Sequence, residues 1–248
     1  MARDFGEFRL GSWVLTLDLL GTAVQMSEDD WFTSLNALLH TVDVSVHEAL
    51  ASGSGDVHLI QYGDSFTFCH DKVEKLVCVG TEVQVKLFRQ NILAQIGLSG
   101  GGAYYLDDTT IHRIVKGLSH VKLHCLVGKG VARSHMVLRG IKGPRFIIDE
   151  EIGHVPASGP CWEKLLLGPN LHGALHCSEL RWWKNFPGIL EMTEGRIKAL
   201  QSKIKYEKAG IKEFAHIEPL VRREIDSLTK RLKHYECFHQ VLVKDSEP

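Results

Sequence analysis

Trp13-Val14-Leu15-Thr16-Leu17-Asp18-Leu19-Leu20-Gly21 is the stretch that decides how this chain is read: an apolar run, closed by glycine and interrupted by one carboxylate. A run of that length between punctuating residues suits a buried strand. A carboxylate inside such a strand is costly unless it is hydrogen-bonded or bound to a cation. Asp18 is therefore either a strand-end residue facing solvent or a ligand for positive charge.

Working outward, Glu28 to Ala51 shows helical spacing, with Trp31, Leu35, Leu38, Leu39, Val42 and Val46 near one face and Ser27 as a suitable N-cap. A Ser/Gly loop at 52–56 follows. Val57 to Tyr62 and Ser65 to Cys69 read as two strands joined by the turn residues Gly63 and Asp64. Val73 to Ile96 reads as a second helix, and Gly100-Gly101-Gly102 as a glycine turn into a strand at 103–106. Thr109 to Gly117 and Gly128 to Leu138 are shorter helical candidates, and Pro144 to Asp149 is a further strand. This alternation predicts an α+β fold, an α/β sandwich with a mixed sheet flanked by helices.

Composition changes near residue 180, so the expected division is a catalytic domain over 1–180 and a helical C-terminal appendage over 181–248. Glu191 to Lys208 and Glu213 to His239 are charge-rich helical stretches, with Ile217, Val221, Leu228, Leu232 and Tyr235 at helical steps in the second. They read as a hairpin packed on the main domain or as a dimerisation arm with a short coiled-coil seam.

The 248 residues carry 29 Lys and Arg against 30 Asp and Glu, a net charge of −1 that argues against a general electrostatic grip on nucleic acid. The six cysteines form no CxxC pair, the first residues are too polar for an export signal, and no apolar stretch is long enough to span a bilayer. A cytoplasmic protein with reduced thiols is the expectation.

The chemistry rests on Asp18 and Asp64 taken together. Alone, each has a structural explanation, since Asp beside Gly is common in turns. A strand bearing Asp18, a helix, and a hairpin with Asp64 at its tip would set both carboxylates at one sheet edge. Two hard oxygen ligands there suit Mg²⁺ or Mn²⁺, which keeps waters and takes further ligands from phosphates. Two such ions favour in-line attack of a ribose hydroxyl at an α-phosphate, with a backbone carbonyl of Leu19 or Leu20 completing the coordination.

Leu17-Asp18-Leu19-Leu20-Gly21-Thr22 resembles the first metal motif of class III nucleotidyl cyclases, and Gln61-Tyr62-Gly63-Asp64-Ser65-Phe66 their second, the Gly-Asp hairpin. The separation of 46 residues (64 − 18) suits that fold. Gly128 to His135 resembles the segment opening the family's late active-site helix, and Gly143 to Asp149 the strand after it, so the resemblance covers about residues 10–155. The Asn and Arg that many purine cyclases carry on the late helix fall on Ala132 and Met136, and the purine-reading Lys and Asp have no clear match. Arg133 or Arg139 is a substitute from a shifted register, with Arg133 placed on the triphosphate.

That divergence is similar to the bacterial pyrimidine cyclases of the Pycsar antiphage systems. The resemblance implies a homodimer with interfacial sites that makes cyclic UMP or cyclic CMP, uridylate favoured, to activate a partner effector. Three alternatives stay open: an adenylate or guanylate cyclase, an inactive cyclase-like binding domain, and a polymerase-palm relative that makes a cyclic dinucleotide.

Other signals weigh less. His172 and His176-Cys177 have the spacing of two ligands on one helical face, without a second pair nearby. Gly97 to Gly102 lacks the ending of a phosphate loop and more readily permits close strand approach. Trp182-Trp183-Lys184-Asn185-Phe186 reads as a core anchor before a base-stacking platform. Arg113, Lys116, Lys122 and Lys129 are solvated by default, though each has the charge for a triphosphate.

Overall fold

The computed structural model describes residues 9–20, 36, 39–44, 47–48, 57–62, 65–106, 125–139, 141–149, 162–170, 173–213 and 218–246. Strands β1 (Arg9–Leu19), β2 (His58–Tyr62) and β3 (Ser65–His70) precede helix α1 (Val73–Arg89). Then come β4 (Ala94–Leu106), β5 (Cys125–Val127), α2 (Lys129–Arg139), β6 (Phe146–Asp149), β7 (Trp162–Asn170) and β8 (Gly173–Leu180). A 3-10 turn (Trp182–Asn185) leads into α3 (Ile189–Glu213) and α4 (Glu218–Ser246). Among the described residues the strands form one mixed sheet in the order β2-β3-β1-β4-β6-β8-β7, with β5 on β4 off that path. Among the described strands only β4 and β6 pair in parallel. The α+β expectation holds, and no described helix is long and apolar enough to cross a membrane.

Period-two alternation gives the sheet two unlike faces. Leu15, Leu17 and Leu19 of β1, Ile96 and Leu98 of β4, and Phe146 and Ile148 of β6 join one core with Leu76, Val83 and Leu87 of α1. The intervening residues face α2: Thr16 shares a 2.7 Å hydrogen bond with Ser134, and Ile147 packs with Val137. One face builds the core, and the other carries the polar groups.

The helix read over Val73 to Ile96 ends instead at Arg89. Asn91 adopts φ 64°, its N–H donates to Phe88 O and that of Ile92 to Leu87 O, which is a Schellman stop. The apolar Ile92-Leu93-Ala94 continues the helical pattern in sequence, but those residues lead into β4. The glycine turn is also corrected. Gly101 and Gly102, at φ 111° and 82°, form an irregularity within β4, opposite the register shift between Gly11 and Trp13. The β7–β8 hairpin goes beyond the sequence reading, and it places His176 and Cys177 on a strand, where neighbours point to opposite faces. His172 lies outside the described residues, as do most of 28–51 and the candidate at 109–117; residues 39–44 are helical.

α3 and α4 add to the same core as the sheet. Tyr235, Phe238 and Leu242 of α4 belong to it, as do Trp182, Trp183 and Phe186, in the expected anchoring role. Phe88 of α1 meets Trp182, Phe186, Tyr235 and Phe238 in edge-on ring contacts with centroids 5.5–6.2 Å apart. Tyr235 donates its hydroxyl to Asn91 Oδ1 at 2.6 Å, and Arg231 donates to Asn91 O, so α4 holds the turn that opens β4. Ile204, Ile225 and Leu228 form a separate small cluster between the two helices.

Candidate active site

Asp18 is the penultimate residue of β1, on the face toward α2, and half-buried. Its register partners are Ser65 at the start of β3 and Gln95 near the start of β4. Both neighbours hold the carboxylate: Ser65 Oγ donates to Oδ1 at 2.7 Å, and Gln95 Nε2 to Oδ2 at 3.3 Å. No Lys or Arg among the described residues forms an ion pair with it. His135 of α2 feels the charge of Asp18: burial lowers its imidazole pKa, Asp18 pulls it back up and Arg139 pushes it further down.

α2 reaches this edge because β4 lets it approach. A Cβ on Gly97 would lie 2.2 Å from Ser134 O, so a side chain there would lever the helix off the sheet. Ser134 Oγ also donates to Val131 O, which leaves Thr16 as donor in the pair linking β1 to α2.

Gln95 is the residue that sequence reading passed over, having placed it in a helix. Only 8% exposed, it commits Nε2 to Asp18, while Oε1 is buried with no hydrogen-bond partner among the described residues. Leaving such an acceptor unmade costs about 1–3 kcal/mol. The alternation of Gln95, Gly97 and Ser99 with Ile96 and Leu98 is the signal that identifies it.

The other expected site residues fall as follows. Leu19 ends β1, buried and paired with Ala94. Asp64 lies outside the described residues; the pair Tyr62 and Ser65 brackets its position, and Ser65 is the partner of Asp18. Arg133 donates through Nε and Nη2, the latter at 2.8 Å, to the fully buried Asp149, which also accepts from Ser99 at 3.0 Å. Ala132 is exposed, and Met136 packs against Val137, Ile141, Ile147 and Cys177. Arg113, Lys116 and Lys122 lie outside the described residues.

The residues present fit a small divalent cation. Among the described residues no group of three His, Cys, Asp or Glu gathers to hold a metal. Mg²⁺ is commonly bound through one or two carboxylates plus waters and substrate phosphates. A half-open carboxylate with neutral donors only, beside an orphaned amide oxygen, has that character.

No protein-family model matches the sequence, and no curated protein matches it. Solved structures do. The guanylate cyclase domain of RhGC from Catenaria anguillulae, in complex with GTP, superposes with TM-score 0.51 at 16% identity, over 68% of this chain and 94% of that one. The catalytic core of a rhodopsin-guanylyl cyclase with converted specificity, in complex with ATPalphaS, gives 0.51 at 14% identity, over 68% and 93%. The fold is that of a class III nucleotidyl cyclase domain. Within the class III cyclase fold, the Asp18 edge and α2 are the parts whose sequence resembles the first metal motif and the late helix.

Proposed function

We propose that the protein is a pyrimidine nucleotide cyclase. It converts UTP, or CTP, to the 3',5'-cyclic monophosphate and pyrophosphate, as a signal in antiphage defence that activates a separate effector. The observation that carries the cyclase reading is Asp18: a carboxylate on a class III cyclase-type sheet, oriented by two neutral donors and paired with no Lys or Arg among the described residues.

In this reading Asp18, Asp64 and the Leu19 carbonyl hold two Mg²⁺ or Mn²⁺ ions. Bound there, the ions neutralise the triphosphate and lower the pKa of the attacking hydroxyl. The ribose 3'-oxygen forms a bond to the α-phosphorus, the bond to the β-phosphate oxygen breaks, and the hydroxyl proton leaves to solvent. Ser65 and Gln95 fix the rotamer of Asp18, so the carboxylate needs no reorganisation when substrate arrives. α2, seated on Gly97, closes the edge from above. Arg133 stays on Asp149, where the structure has it. The pyrimidine assignment is supported by Ala132 and Met136, which offer neither the amide nor the guanidinium of many purine cyclases. A homodimer with shared sites belongs to the same reading.

The second reading is an adenylate or guanylate cyclase, favoured by the fold neighbours solved with GTP and with an ATP analogue. Incubation with each of the four ribonucleoside triphosphates and Mn²⁺, followed by product mass, separates the readings. Cyclic UMP or cyclic CMP is expected. Cyclic AMP or cyclic GMP alone transfers the assignment to the second reading, and a dimeric product points to nucleotide joining. No product, with melting raised by nucleotide, leaves a binding domain.

A further inference from the structure

Two buried amide oxygens among the described residues lack partners, those of Gln84 and Gln95. Gln84 sits on the core side of α1, its Nε2 donating to Ala94 O at 2.7 Å. Gln95 differs in setting. Its amide stands against a half-open carboxylate, at the edge where β1, β3 and β4 meet α2. The amide orientation follows from chemistry: reversed, Oε1 would face Oδ2 of Asp18, acceptor against acceptor.

Resting on the metal reading of Asp18, we propose that Gln95 is a positioning residue with two tasks: Nε2 aims Asp18, and Oε1 accepts a hydrogen bond from water bound to the cation that Asp18 holds. An amide oxygen accepts only, so its missing partner is a donor. Triphosphate oxygens are acceptors and do not satisfy it. Cation-bound water is a strong donor, because the ion polarises its O–H bonds. Such water belongs beside a metal carboxylate, since Mg²⁺ and Mn²⁺ usually keep part of their hydration. A ribose hydroxyl is the other donor with that chemistry, and it arrives only with nucleotide. Gln95 then acts on the ion as the outer partners of metal ligands do.

The test is calorimetric titration of the whole protein with Mn²⁺, without nucleotide and again with a non-cyclisable triphosphate analogue, for wild type, Gln95→Leu, Gln95→Met and Asp18→Asn, alongside each variant's metal-free melting temperature. Gln95→Leu should weaken Mn²⁺ by about tenfold, the lower end for loss of an outer partner. It should leave the metal-free melting temperature unchanged or raised, because an orphaned acceptor is removed. Gln95→Met removes both amide atoms from a side chain of similar length and should weaken Mn²⁺ likewise, so it serves if Gln95→Leu fails to fold. Asp18→Asn should lose Mn²⁺. If Asp18→Asn loses the ion while Gln95→Leu and Gln95→Met bind it as wild type does, the role of Gln95 is overturned and the metal site stands. A weakening of Gln95→Leu seen only with nucleotide present assigns the acceptor to the ribose hydroxyl and overturns the water. If Asp18→Asn binds Mn²⁺ unchanged, the metal reading of Asp18 fails and the inference falls with it.

Discussion

Asp149 and Asp18 lie on the same face of one sheet, and the fold treats them in opposite ways. Asp149 is fully buried and receives the Arg133 guanidinium and the Ser99 hydroxyl; Glu179, equally buried on β8, receives Arg145. Asp18 stands half-open with one hydroxyl and one amide. A buried carboxylate needs a cation of its own, because desolvation of the charge is otherwise uncompensated. Where the chain needs a carboxylate for architecture, it builds the counter-charge in. At Asp18 it supplies orientation without neutralisation, as expected if the positive charge comes from outside.

The largest effects are expected at the architectural pairs. Arg145→Met takes the guanidinium away from the buried Glu179, and should cost about 3–5 kcal/mol in urea unfolding. Adding Glu179→Leu should recover most of that loss; failure to recover it would show that the pair does more than cancel charge. A neutral link is worth less. Tyr235→Phe removes the hydroxyl donated to Asn91 and should cost about 1 kcal/mol by the same measurement.

The smallest effect concerns a base that stays uncharged. His234 of α4 accepts the Gly143 N–H at Nδ1, 3.2 Å away, and its pKa is pushed below the usual 6.5 by burial, with Lys142 and Lys233 adding to the shift. A lowered folded-state value means that the unfolded chain takes up the proton first. Its contribution to stability is therefore complete above about pH 6.5 and is lost as pH falls through the folded-state value. Urea midpoints measured across that range should decline on acidification, and His234→Gln should flatten the decline.

Much of this was legible from residue pattern. The apolar run around Asp18, the strands either side of 63–64, α2 and both C-terminal helices all announce themselves by periodicity. The stop at Asn91 does not, because one left-handed residue ends a helix whose apolar pattern runs on through Ile92 and Leu93. Missing that stop hid the start of β4, and with it the place of Gln95 opposite Asp18. The glycines at 101–102 look like a turn in sequence, and only pairing with β1 on one side and β5 on the other makes them part of a strand. Asp18 was legible as an anomaly; its neutral surroundings are a tertiary fact, set by which residues two other strands place beside it.

In the proposed function, turnover depends on the Asp18 edge. Pyrophosphate release and cyclic-product mass, measured for wild type and Asp18→Asn with Mn²⁺ and each triphosphate, test it most directly. Wild type should yield a cyclic mononucleotide, with a pyrimidine triphosphate as substrate, and a folded Asp18→Asn protein none. A cyclic product formed by Asp18→Asn at the wild-type rate would contradict it.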